Sequence, residues 1–219
     1  MSFADSESIH PTFAEEAANA ISHGIGVLLS VAALVLLTIS ASGASAALRL
    51  PTILGFLIFG FSLIFLYLMS TLYHAVPEGR CKAILQQLDH AAIFVLIAGS
   101  YSAFCLSVLY STVGVELFLT IWGLAALGIS SQIFLSKRLA HRLSLVLYLL
   151  MGWLVIFLYP IVAKALPAPA FWLLLSGGIS YTAGFVFYAL QRIPWMHPIW
   201  HLFVLGGSVC HVLSVLWIF

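Results

Sequence analysis

Charge is what this 219-residue chain has least of: eight Lys and Arg and seven Asp and Glu make up only 7% of it, against about a quarter in soluble domains. So few charges cannot clothe a globule, which excludes a soluble fold and leaves lipid as the solvent for most of the chain. Basic runs and basic amphipathic stretches are missing too, and with a net charge of +1 this excludes nucleic acid as a partner. Cysteine is scarce: Cys81, Cys105 and Cys210 have no paired spacing and no partner motif, so they read as free thiols or small apolar residues. Met1 to Glu16 contains no Lys or Arg. A cleaved signal peptide needs a basic first region, so the first apolar run is expected to stay as a membrane span.

What is present is hydrophobic sequence, 63% of all residues. Spanning a bilayer takes about 20 apolar residues in a helix, and seven charge-poor runs of about that length are bounded by charges, Pro or Gly. They fall at about Ala17 to Ala41, Pro51 to His74, Gln87 to Leu109, Gly114 to Leu135 and His141 to Ile161, then from Pro169 to near Gln191 and from Pro198 to Phe219. The predicted fold is all-α, a single seven-helix transmembrane domain over 1–219 in which 1–16 form a short cytoplasmic tail. Arg80, Lys82, Lys137, Arg138, Arg142 and Arg192 fall in loops on one side, and only Arg49 and Lys164 on the other. The positive-inside rule therefore predicts a cytoplasmic N-terminus and an external C-terminus. No internal repeat stands out, and seven spans do not divide into the equal halves of repeat-built transporters.

On this topology the ionisable residues gather toward the cytoplasmic face. Glu16 and His23 open span one, His74 ends span two, Asp89 and His90 open span three, and His197 and His201 open span seven; His211 lies three to four turns deeper. At a rise of 1.5 Å per residue, His197 and His201 project from one helix face about 6 Å apart in height, so a single metal ion can be chelated by both. The zincin motif has this spacing with a Glu between, whereas here any base comes from another helix, and Asp89 is the available carboxylate. His74 supplies a third nitrogen, and Ser70, one turn deeper on the same face, can hydrogen-bond to a ligand or a bound water. Three histidines with an open fourth position are the ligand pattern of catalytic zinc, which lowers the pKa of bound water to about 7. Zinc is favoured over copper and iron on ligand type.

Blander readings apply to other residues. His90, His141 and His211 read as amphipathic side chains reaching for headgroups or a carbonyl, and His10 as a tail residue. The aromatic residues read as interface belts and helix packing, and the span glycines as close helix contacts. Asp89 is harder to dismiss, because a carboxylate within a span costs roughly 2.5–3.5 kcal/mol on insertion scales.

Four motifs, Glu16-x-x-Asn19-x-x-Ser22-His23, Ser70-x-x-x-His74, Asp89 and His197-x-x-x-His201, together resemble those of the hemolysin III proteins. These are bacterial members of the progestin and adipoQ receptor family, which includes the adiponectin receptors. The resemblance covers essentially the whole chain and implies a multi-pass protein of the bacterial cytoplasmic (inner) membrane, seven spans and an internal N-terminus. It implies zinc on His74, His197 and His201, Asp89 against the zinc water, and a supporting role for Ser70. It leaves open whether Glu16, Asn19 and His23 join the site. The long N-terminal domain of adiponectin receptors has no counterpart here, so hormone binding is not expected.

The leading expectation is a zinc-dependent hydrolase of a lipid amide or ester, ceramidase-like, acting in membrane-lipid homeostasis with membrane lipids or a fatty acid as ligand. In that scheme Asp89 is general base. The alternatives are a non-enzymatic sensor or receptor with a structural zinc, which closure of the fourth position by Asp89 would favour, and a hemolysin-like pore. A pore finds only Ser208, His211 and Ser214 along span seven, a thin lining. Haem ligation would show a Soret band, and a retinal Schiff base lacks its lysine in span seven.

Overall fold

A computed structural model describes residues 11–219, so His10 and most of the expected tail lie outside the described residues. Helix α1 is Phe13–Ser40, followed by a 3-10 turn at Ala41–Gly43; α2 is Arg49–Ala75, α3 Arg80–Cys105 and α4 Gly114–Phe134. Helix α5, Lys137–Trp153, runs through a 3-10 segment at Leu154–Leu158 into α6, Tyr159–Ala165; α7 is Ala168–Ala189 and α8 Met196–Leu216. No strand occurs among the described residues. Taking α5 and α6 as one bent span, seven helical segments are long and apolar enough to cross a membrane, as the apolar runs predict.

Three spans differ from their expected limits: the first begins at Phe13 rather than Ala17, so that Phe13 to Glu16 of the expected tail are helical behind the Thr12 cap. The third begins at Arg80 rather than near Gln87, because its cationic first turn is not a solvated loop: Lys82 turns inward and is buried. The fifth runs from Lys137 to Ala165 rather than from His141 to Ile161. Pro160 opens α6, where its missing N–H falls in a first turn that needs none. The break before it is stitched by Tyr101 of α3, whose hydroxyl donates to the Met151 carbonyl at 2.8 Å and accepts from the Val155 N–H at 2.9 Å. Backbone groups freed at membrane depth need such partners.

The turn between α2 and α3 relies on Gly79, whose φ of 154° with ψ of −174° belongs to a region essentially open only to glycine. Thr12 starts α1 with a capping box: its hydroxyl accepts from the Glu15 N–H, and the Glu15 carboxylate accepts the Thr12 N–H at 2.9 Å.

Helix α1 packs against both α2 and α8, and contacts of α2 with α3, α3 with α4, α4 with α5 and α7 with α8 carry the series of neighbours on to α5 at one end and α7 at the other. Helix α3 is the most enclosed span, while α5 and α6 touch α7 only sparsely. A cavity of about 220 Å³ lies among α3, α5, α7 and α8. Because successive spans alternate in direction, the start of α1, the end of α2 and the starts of α3 and α8 meet at one end of the bundle.

Candidate metal centre

The last turn of α2 and the first turns of α8 deliver three imidazoles to that end. One ligating nitrogen from each of His74, His197 and His201 lies within 4.8 Å of the other two. The ring centroids form a nearly even triangle, 5.1 Å from His74 to each of the others and 4.8 Å between His197 and His201. The i, i+4 spacing on α8 supplies one edge, and His74 reaches across from α2.

Hydrogen bonds decide which nitrogen faces inward. Glu16 Oε2 lies 2.5 Å from His74 Nδ1. A carboxylate only accepts, so Nδ1 carries the proton and Nε2 keeps its lone pair. Ser22 does the same for His201 by a less direct route. Its own proton goes to the Asn19 carbonyl at 2.9 Å, so its oxygen, 3.2 Å from His201 Nδ1, serves there as the acceptor. The Asn19 amide lies beside His74 Nδ1 at 3.4 Å.

Nε2 of all three histidines is buried and without a hydrogen-bond partner among the described residues. Three buried nitrogens without partners beside one another are costly in an apolar bundle, and one shared cation, with each ring presenting a lone pair, satisfies all of them. The donor set therefore fits a metal ion, and no ion's identity follows from geometry alone.

Behind His74 the charges are balanced in turn. Lys82 Nζ donates to Glu16 Oε1 at 2.8 Å and to the carbonyls of Tyr73 and Val76 at 3.2 and 3.3 Å, using its three protons and closing the carboxyl end of α2. Glu15 reaches the other way. Its Oε1 accepts the Trp195 N–H at 2.7 Å, fixing the residue before α8, whose φ of 68° is left-handed.

The remaining expected residues take separate places. Asp89 is buried on α3, facing His74 and Ser70 and lining the cavity, but it is not one of the three converging groups. Ser70 is buried beside Asp89, its hydroxyl meeting hydrogen-bond geometry with no partner among the described residues. His23 is fully enclosed, stacked on His201 at a centroid distance of 3.5 Å and meeting Tyr67 edge-on at 5.0 Å. His211 departs from the interfacial reading: it is buried and lines the cavity. Sequence reasoning missed Glu15, although Thr12-x-x-Glu15 is a legible capping box, and it missed the inward turn of Lys82.

The family model described as haemolysin-III related matches residues 12–212. "Hemolysin-3 homolog" of Bacillus subtilis (strain 168) is 47% identical over 205 residues, 94% of each chain. "Hemolysin-3" of Bacillus cereus is 42% identical over 92% of this chain and 90% of its own length. The human "Monocyte to macrophage differentiation factor" is 27% identical over 72% of this chain and 67% of its own. No solved structure matches the chain significantly.

Proposed function

Since the chain belongs to the haemolysin-III-related family and is a multi-pass integral membrane protein, we propose that it is a zinc-dependent hydrolase of a lipid amide or ester, serving membrane-lipid homeostasis. The observation that carries this reading is the convergence of three orphaned imidazole nitrogens beside the end of an apolar cavity that Asp89 and His23 line.

His74, His197 and His201 would hold zinc through Nε2, an all-imidazole set suited to a borderline-soft cation. When bound, zinc supplies Lewis acidity toward a carbonyl or water oxygen. Glu16 and Ser22 hold two of the rings in the ligating tautomer. Asp89, outside the converging trio, is free to accept the proton of an attacking water, and Ser70 is placed to orient that carboxylate or a bound water. The cavity, lined mostly by apolar and aromatic side chains, takes the acyl chain and excludes bulk water.

The names of the two Bacillus relatives point instead to lysis. Among the cavity-lining residues Asp89 is the only formal charge, which offers an ion no continuous polar path.

Metal content and turnover test the proposal together. Purified protein is expected to carry one zinc per chain by elemental analysis, and the double variant His197→Ala, His201→Ala to carry none. Asp89→Asn is expected to keep the zinc while losing at least about 100-fold in hydrolysis of a ceramide-type amide or a lipid ester. A double variant that still holds one zinc sinks the metal assignment; zinc-loaded protein that hydrolyses neither substrate, with or without chelator, sinks the enzyme and leaves a sensor with a structural ion.

A further inference from the structure

Apart from His211, the polar groups deep in α8 are all spoken for. Ser208 takes a hydrogen bond from the Tyr67 hydroxyl at 2.7 Å and pairs with Tyr181 at 2.8 Å, and Ser214 donates to the Ala170 carbonyl at 2.6 Å. His211 is 9% exposed, and neither ring nitrogen meets hydrogen-bond geometry with a partner among the described residues; the Leu174 carbonyl lies toward the ring without reaching that geometry. The ring is nonetheless held in place. Tyr181 meets it edge-on at 5.3 Å, and it lies against Gly177, where a Cβ would collide with Cδ2 and Nε2. A glycine is thus needed to seat an imidazole that finds no hydrogen-bond partner among the described residues.

The imidazole lines the same cavity as Asp89 and His23. His211 is ten residues beyond His201 on one helix, which places it about 15 Å farther along the axis. The cavity continues past it to Leu109, Leu117, Leu166 and Phe171, all apolar. A chain entering from the metal end would thus pass hydroxyls already bonded to the protein, such as those of Ser100, Tyr101 and Thr182, meet an imidazole with no such bond among the described residues, and run on among apolar side chains.

We propose that His211 is a recognition site for a hydroxyl carried part-way along the ligand's hydrocarbon chain. A neutral imidazole offers one donor and one acceptor nitrogen, and a hydroxyl pairs with either. A carboxylate is disfavoured, because no cationic side chain lines the cavity to balance it. The ligand class is accordingly a long-chain lipid with a mid-chain hydroxyl, held with its reacting head at the histidine triangle. This rests on the lipid-binding part of the proposed function and specifies which lipids the site prefers.

Binding of radiolabelled octadecanoic acid and of its hydroxy derivatives, with the hydroxyl stepped along the chain, to purified protein in detergent separates the two readings. The mid-chain derivative is expected to bind about ten-fold more tightly than the plain chain, the net worth of one buried hydrogen bond, with the preference fading as the hydroxyl moves toward either end. His211→Leu is expected to bring the ratio to about one. Gly177→Ala, which keeps the histidine and displaces its ring, is expected to do the same, with zinc content reporting that both variants are folded. Equal binding of all chains, or a preference that survives in His211→Leu, overturns the assignment and leaves lipid binding intact. No binding of any chain overturns the lipid reading itself and this inference with it.

Discussion

Behind the imidazole of His74 stands a carboxylate, and behind the carboxylate an ammonium. Glu16 makes the ring present Nε2, and Lys82 keeps Glu16 ionised and aimed. Glu16→Gln keeps the shape and loses the charge, so zinc affinity is expected to fall about 10- to 100-fold while stoichiometry stays at one, read by competition with a chromogenic chelator. Ser22→Ala removes a neutral acceptor from His201 and is expected to cost less, since charge-assisted bonds are about twice as strong. An affinity unmoved in both variants would mean that the rings are oriented by packing alone. The His197-x-x-x-His201 pair was readable from sequence because four residues is one helical turn. The roles of Glu16 and Ser22 were not, since each depends on which nitrogen of a distant ring it meets.

The start of α1 and the start of α8 are joined through one side chain. Glu15 caps its own helix with one oxygen and pins the Trp195 N–H with the other, across 180 residues of sequence. Thr12→Ala removes the cap hydroxyl and is expected to cost about 1 kcal/mol. Glu15→Ala also removes a bond to a charged acceptor, so it is expected to cost about 2–3 kcal/mol and to weaken zinc binding. Thermal unfolding in detergent measures both, and equal losses would show that the bond to Trp195 holds nothing. The limits of α4 and α7 were legible because Gly, Pro and charge coincide with solvent there. Those of α3 and α5 were not: Lys82 is a cation that faces protein, and Pro160 follows a break repaired by Tyr101, and neither fact lies in local composition.

Across the whole molecule, seven helices long and apolar enough to span would, if each crosses once, set the two termini on opposite sides of the membrane. Moving Lys82 from loop to helix removes one cation from the exposed count, and Arg80, Lys137, Arg138, Arg142 and Arg192 still outnumber Arg49 and Lys164. Alkaline phosphatase fused after Phe219 is therefore expected to be active, as it is only outside the cytoplasm, and an inactive fusion with an active N-terminal one would invert the assignment. The seven-helix architecture follows from hydropathy alone, whereas the cavity depends on how sparsely α5 and α6 meet α7, a matter of packing that no run of apolar letters records.

The histidine triangle draws one ligand from the second span and two from the last. During synthesis α2 is threaded into the bilayer long before α8 leaves the ribosome, and until then His74 waits with its nitrogen unmatched. A chain cut short anywhere before His197 therefore lacks two of the three ligands, so an ion held as proposed could be taken up only once the start of α8 has been made, and a product truncated earlier would leave in α2 an imidazole without companions.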